Sequence, residues 1–356
     1  MKKHNFSAGP SILPQEVYEK SAQAVLNYNN SGLSILEISH RSKEFMAIME
    51  EAQNLALELL NLSDKGYKAL YLQGGASLEF LRVPNNLMKI NGAAAYLDTG
   101  TWASSAIKEA KNFGETIVVA SSKDKNYSYI PKDYTIPNHA NYFHCTSNNT
   151  IFGTQLKSFP NTTVPMVCDM SSDIFSRVLD FSKFGIIYAG AQKNMGPAGT
   201  TLIVVKEDIL GKTERNIPNI LNYQQHIAKE SMYNTPAVFA VYCSLLTLQW
   251  IKNNGGVKVL EEKNIEKAKL LYNEIDRNSL FTGTANNEDR SLMNVTFLLN
   301  DDSLKDRFDA LWKENGISGL NGHRSVGGYR ASIYNAMPIE SVKLLVNVMQ
   351  ELEKSI

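Results

Sequence analysis

Cysteine is scarce in this chain. Cys145, Cys168 and Cys243 lie far apart, and no C-x-x-C pair occurs. That spacing argues against a disulfide framework or a structural zinc site and fits a reducing compartment. Long hydrophobic runs are missing as well: none approaches the roughly 18 apolar residues that a membrane span needs. Met1-Lys2-Lys3-His4-Asn5-Phe6 has no apolar stretch behind it, so no secretory leader is expected. Excess charge of either sign is also absent, since 36 Lys and Arg balance 36 Asp and Glu. Bulk attraction to nucleic acid or to an anionic membrane is therefore not indicated, and any anion must be bound by a local cluster. No internal repeat or low-complexity tract is seen. What remains is an ordinary globular composition, 43% apolar and 20% charged over 356 residues, which favours two domains and a cytoplasmic location.

The chain reads first as helix. Pro14 suits the first turn of a helix running to about Tyr28, and Ser42 suits the N-cap of the next. In that second helix Phe45, Ile48, Met49, Ala52, Leu55, Leu59 and Leu62 follow the spacing of one buried face. From about residue 66 strand and helix signals alternate. Apolar runs at Ala69–Leu72, Ala93–Leu97, Thr116–Ala120, Asn141–Cys145, Thr163–Cys168, Gly185–Tyr188 and Thr201–Val205 are each followed by polar or glycine-rich residues or by a helical pattern. Such alternation predicts an α/β fold with a largely parallel sheet, which binds ligands at the carboxyl ends of its strands. A helical pattern from Val238 to about Lys252 ends at Asn253-Asn254-Gly255-Gly256, where a domain boundary is placed. Beyond it the pattern is helix (Val257–Arg277), strand (Met293–Leu299), helix (Leu304–Asn315), a basic glycine-rich loop with a strand, and a last helix after Pro338.

Chemistry concentrates at a few of these junctions. Lys193 stands between small residues, in Ala189-Gly190-Ala191-Gln192-Lys193-Asn194, and before the turn Gly196-Pro197-Ala198-Gly199. Most lysines simply face water. An amine desolvated among small residues loses proton affinity and becomes a nucleophile toward carbonyls. Gly74-Gly75-Ala76-Ser77 falls where a strand turns into a helix, so free N–H groups and the helix dipole can cradle a phosphate. A plain tight turn is an equal reading of that segment by itself, and it matches no nucleotide-binding loop. Asp169 ends an apolar strand, and Trp102 sits at another strand-to-helix junction. A lysine, a carboxylate and a phosphate cradle are together the parts that pyridoxal phosphate requires; Trp102 could stack on its ring, although a tryptophan at such a junction is as often simply core. His40-Arg41 and His323-Arg324, with Arg330 six residues on, are the concentrated positive spots, and they suit a multiply charged small substrate.

Assembled, the chain resembles the phosphoserine aminotransferase family, class V of the fold-type I pyridoxal-phosphate enzymes. The resemblance rests on Asn5–Pro10, Glu37–Ser42, Leu72–Ser77, Asn148–Gly153, Asp169–Asp173, Gly190–Asn194, Met232–Pro236, Gly322–Gly328 and Arg330–Pro338, in order along nearly the whole chain. It implies a large pyridoxal-phosphate domain (14–254) with a mostly parallel mixed sheet, and a smaller α/β domain (1–13 and 255–356) that contributes a substrate-binding loop. It implies one cofactor per subunit, joined as a Schiff base to Lys193, with Asp169 on the pyridine nitrogen, Trp102 stacked on the ring and Thr150 on the 3'-oxygen. Ala76, Ser77 and Gln192 would hold the cofactor phosphate, with Asn234 and Thr235 from the partner subunit of a homodimer. Arg330 would clamp the substrate α-carboxylate. His40, Arg41, His323 and Arg324, some of them across the dimer, would meet the substrate phosphate or the side-chain carboxylate of glutamate. Some family members carry Arg where Ser77 stands, which touches one phosphate contact and not the reaction. The implied reaction exchanges an amino group between glutamate and 3-phosphohydroxypyruvate, and a role with 4-phosphohydroxythreonine in vitamin B6 synthesis is left open. No metal is expected. Two other readings are a lyase or desulfurase of the same fold type, which commonly uses a mobile cysteine, and a non-catalytic protein that binds phosphorylated metabolites.

Overall fold

The computed structural model describes residues 3–356. Met1 and Lys2, which belong to the expected leaderless N-terminus and to the 1–13 segment, lie outside the described residues. At the centre is a seven-stranded sheet. Its spatial order is Tyr67–Leu72, Thr201–Lys206, Ile186–Gly190, Met166–Asp169, Phe143–Thr146, Ala93–Asp98, Glu115–Ser121. Thr201–Lys206 runs antiparallel to both of its neighbours, and the other pairings are parallel.

Helices cover both faces, which is why the inner strands read as mostly apolar, buried runs instead of alternating, while the edge strand Glu115–Ser121 is only partly buried. Ala69 and Tyr71 pack into one core with Phe45, Ile48, Met49 and Val241, from helices Lys43–Leu59 and Val238–Asn253. Leu70 and Leu72 face the opposite way, toward Phe80, Val83 and Ala106 of helices Gly75–Leu87 and Thr101–Ala110. Ser42 caps the helix that follows it, its Oγ accepting from Phe45 N at 3.3 Å. The strand expected from Thr163 begins instead at Met166, because Pro165 has no N–H to give to the ladder. Helix Thr101–Ala110 begins directly after Gly100, so Trp102 lies in its first turn.

A second core gathers Leu271, Ile275, Phe297, Phe308, Leu345 and Met349 around an antiparallel sheet of Phe281–Gly283, Asn294–Leu299 and Tyr329–Ser332. Phe6 and Ile12 belong to this core, and His4–Asn5 pairs in parallel with Ile317–Ser318. The stretch Asn5–Pro10 thus starts within a short strand. The stripe Val342, Leu345, Val346, Met349 and Leu352 of helix Ile339–Lys354 is buried as its spacing required.

Candidate active site

Five connections leave the carboxyl edge of the large sheet side by side: 73–77, 99–102, 147–150, 170–173 and 191–193. They enclose a pocket of about 530 Å³ including its open mouth, and Ala76, Ser77, Trp102, Thr150, Asp169, Gln192 and Lys193 all line it. Seven of the sequence-predicted residues therefore converge on one cavity.

Lys193 stands three residues beyond strand Ile186–Gly190, in a turn. Its main chain is pinned by the N-terminal segment: Ser11 N–H donates to Gln192 O at 2.9 Å, and Ser11 Oγ donates to Lys193 O. Gly9 packs against the same stretch, and a Cβ there would sit 3.6 Å from Lys193 Cγ. The side chain reaches inward, and its Nζ donates to Thr150 Oγ1 at 2.8 Å. Loss of solvation pushes the amine down to about 8 from the ordinary lysine value; the Asp169 carboxylate opposes that shift and the Arg330 guanidinium reinforces it. Asp169 is 5% exposed. Burial raises its carboxyl above the ordinary range, against hydrogen bonding from Ser171 and the charge of Lys193. Its Oδ1 accepts from Ser171 N at 2.9 Å.

Gly74 precedes helix Gly75–Leu87 with φ 113°, and a Cβ there would run into Leu78, so only glycine makes this entry. The free N–H groups of that first helical turn open on the pocket. Gln192 folds back over Gly190, where a Cβ would lie 2.8 Å from Gln192 Oε1. Trp102 is 37% exposed, so it is a wall of the cavity and not core.

Arg330, half-buried on strand Tyr329–Ser332, crosses from the second core to the pocket, its Nη1 donating to Thr150 O at 3.5 Å. Its Nε is buried without a partner, a donor left for a ligand. His323 and Arg324 lie on the loop after Leu320. The His323 ring is held below the ordinary histidine value by burial and by the charges of Arg330 and Arg324, and its Nδ1 lies 2.7 Å from Ser325 Oγ. Seven of the predicted residues do not line the cavity of the single chain: Arg330, His323, Arg324 and four more. His40 and Arg41 occupy the turn before helix Lys43–Leu59, and Asn234 and Thr235 are exposed. Asn234 reaches only the rim, its Nδ2 donating to Gln73 Oε1 at 2.9 Å.

Five pocket residues escaped the sequence reading as individuals: Phe80, Thr146, Asn148, Ser171 and Ser172. Asn148, Ser171 and Ser172 lie inside motif stretches, so their proximity to Thr150 and Asp169 was the available signal. Asn148 Nδ2 donates to Ser172 Oγ and to Asn294 Oδ1, both at 2.8 Å. Asn294 passes on to Tyr334 Oη at 3.1 Å, and Tyr334 donates to Ala8 O at 2.7 Å. One polar network thereby ties the pocket wall to the second core and to the start of the chain.

A buried lysine beside a buried carboxylate, at the carboxyl edge of such a sheet, is an arrangement that suits an enzyme of the pyridoxal-phosphate type. The aminotransferase class-V family model matches residues 3–345, and the chain belongs to that family. Within it, the chain is 72% identical to the phosphoserine aminotransferase of Flavobacterium psychrophilum, over 100% of both chains. A solved structure that describes radiation damage of the Schiff base in phosphoserine aminotransferase superposes with a TM-score of 0.96, at 46% identity over 100% of both chains. Phosphoserine aminotransferase from Bacillus circulans subsp. alkalophilus gives 0.96 at 44% identity, over 99% of each.

Proposed function

We propose that the chain is a phosphoserine aminotransferase, moving an amino group between L-glutamate and 3-phosphohydroxypyruvate to give O-phospho-L-serine and 2-oxoglutarate. The observation that carries this is Lys193 Nζ, held at Thr150 and lowered to about 8 by desolvation, in one cavity with buried Asp169 and a helix N-terminus. The donor set fits pyridoxal 5'-phosphate: an amine for its aldehyde, a carboxylate for its ring nitrogen, Thr150 for its 3'-oxygen and Trp102 for its face. Free N–H groups at Ala76 and Ser77, with Gln192, suit its phosphate. When bound, the cofactor supplies an aldehyde and an electron-withdrawing ring.

The chain's own residues do the rest. Lys193 Nζ removes the proton from Cα of the amino donor and returns one to the opposite product. Asp169 keeps a proton on the ring nitrogen. Arg330 receives the substrate α-carboxylate with its unpartnered Nε and its Nη groups. The second anionic group of either substrate meets His323 and Arg324, with His40 and Arg41. Because His40, Arg41, Asn234 and Thr235 stay outside the single-chain cavity, a homodimer that brings some of them across the interface completes the reading. Separate cores support the division into 14–254 and 1–13 with 255–356. A cytoplasmic site of action goes with this chemistry; among the described residues no helix is long and apolar enough to cross a membrane.

The desulfurase reading loses ground because all three cysteines are buried. The test is an assay of purified protein with glutamate and 3-phosphohydroxypyruvate, beside hydroxypyruvate as the phosphate-free control. Turnover confined to the phosphorylated acceptor supports the proposal; equal turnover with both would overturn the phosphate assignment. Colourless protein without turnover would leave the non-catalytic reading standing. Arg330→Lys is expected to raise KM for both substrates about tenfold, because an ammonium cannot form the two parallel bonds of a guanidinium. Steady-state kinetics with an unchanged KM would remove the clamp from Arg330.

A further inference from the structure

Thr146 ends strand Phe143–Thr146 and lines the pocket, yet neither the motifs nor the assigned roles use it. It is 2% exposed, and its Oγ1 has no hydrogen-bond partner. A buried hydroxyl in that condition carries a desolvation cost and calls for an acceptor. The nearest ladder neighbour supplies one. Thr146 stands in parallel register with Asp169, one residue after Cys145 pairs with Cys168. Parallel register puts both side chains on the same face of the sheet. His144 and Val167 sit two residues back on that face, among Tyr96, Tyr188 and Phe80.

Asp169 is short of donors. Ser171 is the one residue whose hydrogen bonds act on its carboxyl, through an N–H at 2.9 Å and a hydroxyl. A carboxylate accepts at about four lone-pair positions, and a ring nitrogen would take one. The other charged groups acting on Asp169 are Lys193 and Asp173, and Asp173 is already engaged by Arg177 at 3.0 Å, by Gln155 and by Ser147. An unspent donor thus stands in register, one strand over, with an unfilled acceptor, and no hydrogen bond joins the two in this structure.

We infer that Thr146 is a positioning residue for the proposed reaction: its hydroxyl donates to Asp169 and fixes the carboxylate that faces the cofactor ring. The inference rests on the pyridoxal-phosphate reading above. A donor on Asp169 weakens the carboxylate's hold on a proton, so the shared proton stays with the ring nitrogen. Without that bond the proton drifts toward Asp169, the ring loses positive charge, and the nitrogen joining Lys193 to the cofactor becomes easier to protonate.

The test compares wild type, Thr146→Val and Thr146→Ser as holoenzymes, by pH titration of the visible absorption band and by steady-state kinetics. Thr146→Val is expected to raise the titration midpoint by about 0.5 unit and to lower kcat about tenfold, with KM held within about twofold. Thr146→Ser, which keeps the hydroxyl, is expected to titrate with the wild type. If Thr146→Val does not fold, Thr146→Ala is compared with Thr146→Ser in the same way. A midpoint unchanged in the hydroxyl-free variant, or Thr146→Ser behaving like it, overturns the inference, because packing and not the hydroxyl would then explain Thr146. A wild type that binds no pyridoxal phosphate overturns the functional reading and this inference together. A wild type that titrates beside an unchanged variant overturns the inference alone.

Discussion

Lys193→Ala is expected to lower turnover by about 10⁴-fold or more, since it removes a nucleophile and a general acid–base group at once. Borohydride reduction should fix the cofactor to the Lys193 peptide of the wild type and to no peptide of the variant, read by mass spectrometry. The reason is local. Lys193 is the residue in the cavity whose amine is desolvated and hydrogen-bonded inward, at 2.8 Å from Thr150. Its depression to about 8 leaves a useful fraction neutral near pH 7. The sign is definite: burial disfavours the charged amine, so the nucleophilic form grows as pH rises through that value. Cofactor capture by the cofactor-free protein should therefore speed up from about pH 7 to about pH 9 and then level off. A variant that still turns over at near-normal rate, or a label that survives on another lysine, would sink the assignment. Lys267 is the sharpest control, because it is also buried and held to about 7. It spends its donors on Ile333 O and Tyr334 O at 3.0 and 2.7 Å, however, and does not line the pocket.

How much of this could be read before folding depends on the kind of signal. The large sheet was legible because strands buried on both faces are apolar runs, and the junctions between them carry their own turn residues. Phe281–Gly283 was not, since three residues with Thr282 exposed have no period to detect. His4–Asn5 was missed for the same reason, its partner lying more than 300 residues away. In the site, Lys193, Asp169 and Gly74–Ser77 stand out by residue type at a strand end. Thr146 does not: a threonine closing a strand is ordinary β composition, and only the register that sets it beside Asp169 gives it a meaning. Arg330 was legible as a charge in a basic loop, but its buried, unpartnered Nε is a property of the packing. His40, Arg41, Asn234 and Thr235 mark the reverse case. Their sequence context points at the site more clearly than the single chain does.

Asp169→Ala is expected to keep bound cofactor while lowering kcat by about 10² to 10³-fold. Retention follows because the phosphate cradle at helix Gly75–Leu87 and the Lys193 link are untouched. The loss follows from electrostatics in a dry place. A carboxylate at 5% exposure has little water to screen it, so its attraction for a ring proton is worth far more than at the surface. Burial raises its proton affinity, while the Ser171 hydrogen bonds and the charge of Lys193 pull the other way. Remove the carboxylate, and the ring nitrogen has no counter-charge and sheds its proton near neutral pH. The electron pair left when Lys193 takes the Cα proton then has no acceptor. Asp169→Asn should fall with alanine, since an amide can donate to the nitrogen but cannot hold a proton on it. KM should move little in either variant, because Arg330 and the His323–Arg324 loop still receive the substrate. The spectrum supplies the independent check: both variants should shift the pH midpoint of the visible band upward, in the direction expected of Thr146→Val and by more. Near-normal turnover in Asp169→Ala would show that the proton on the ring is held by some other group, and Thr146 would then lose its object as well.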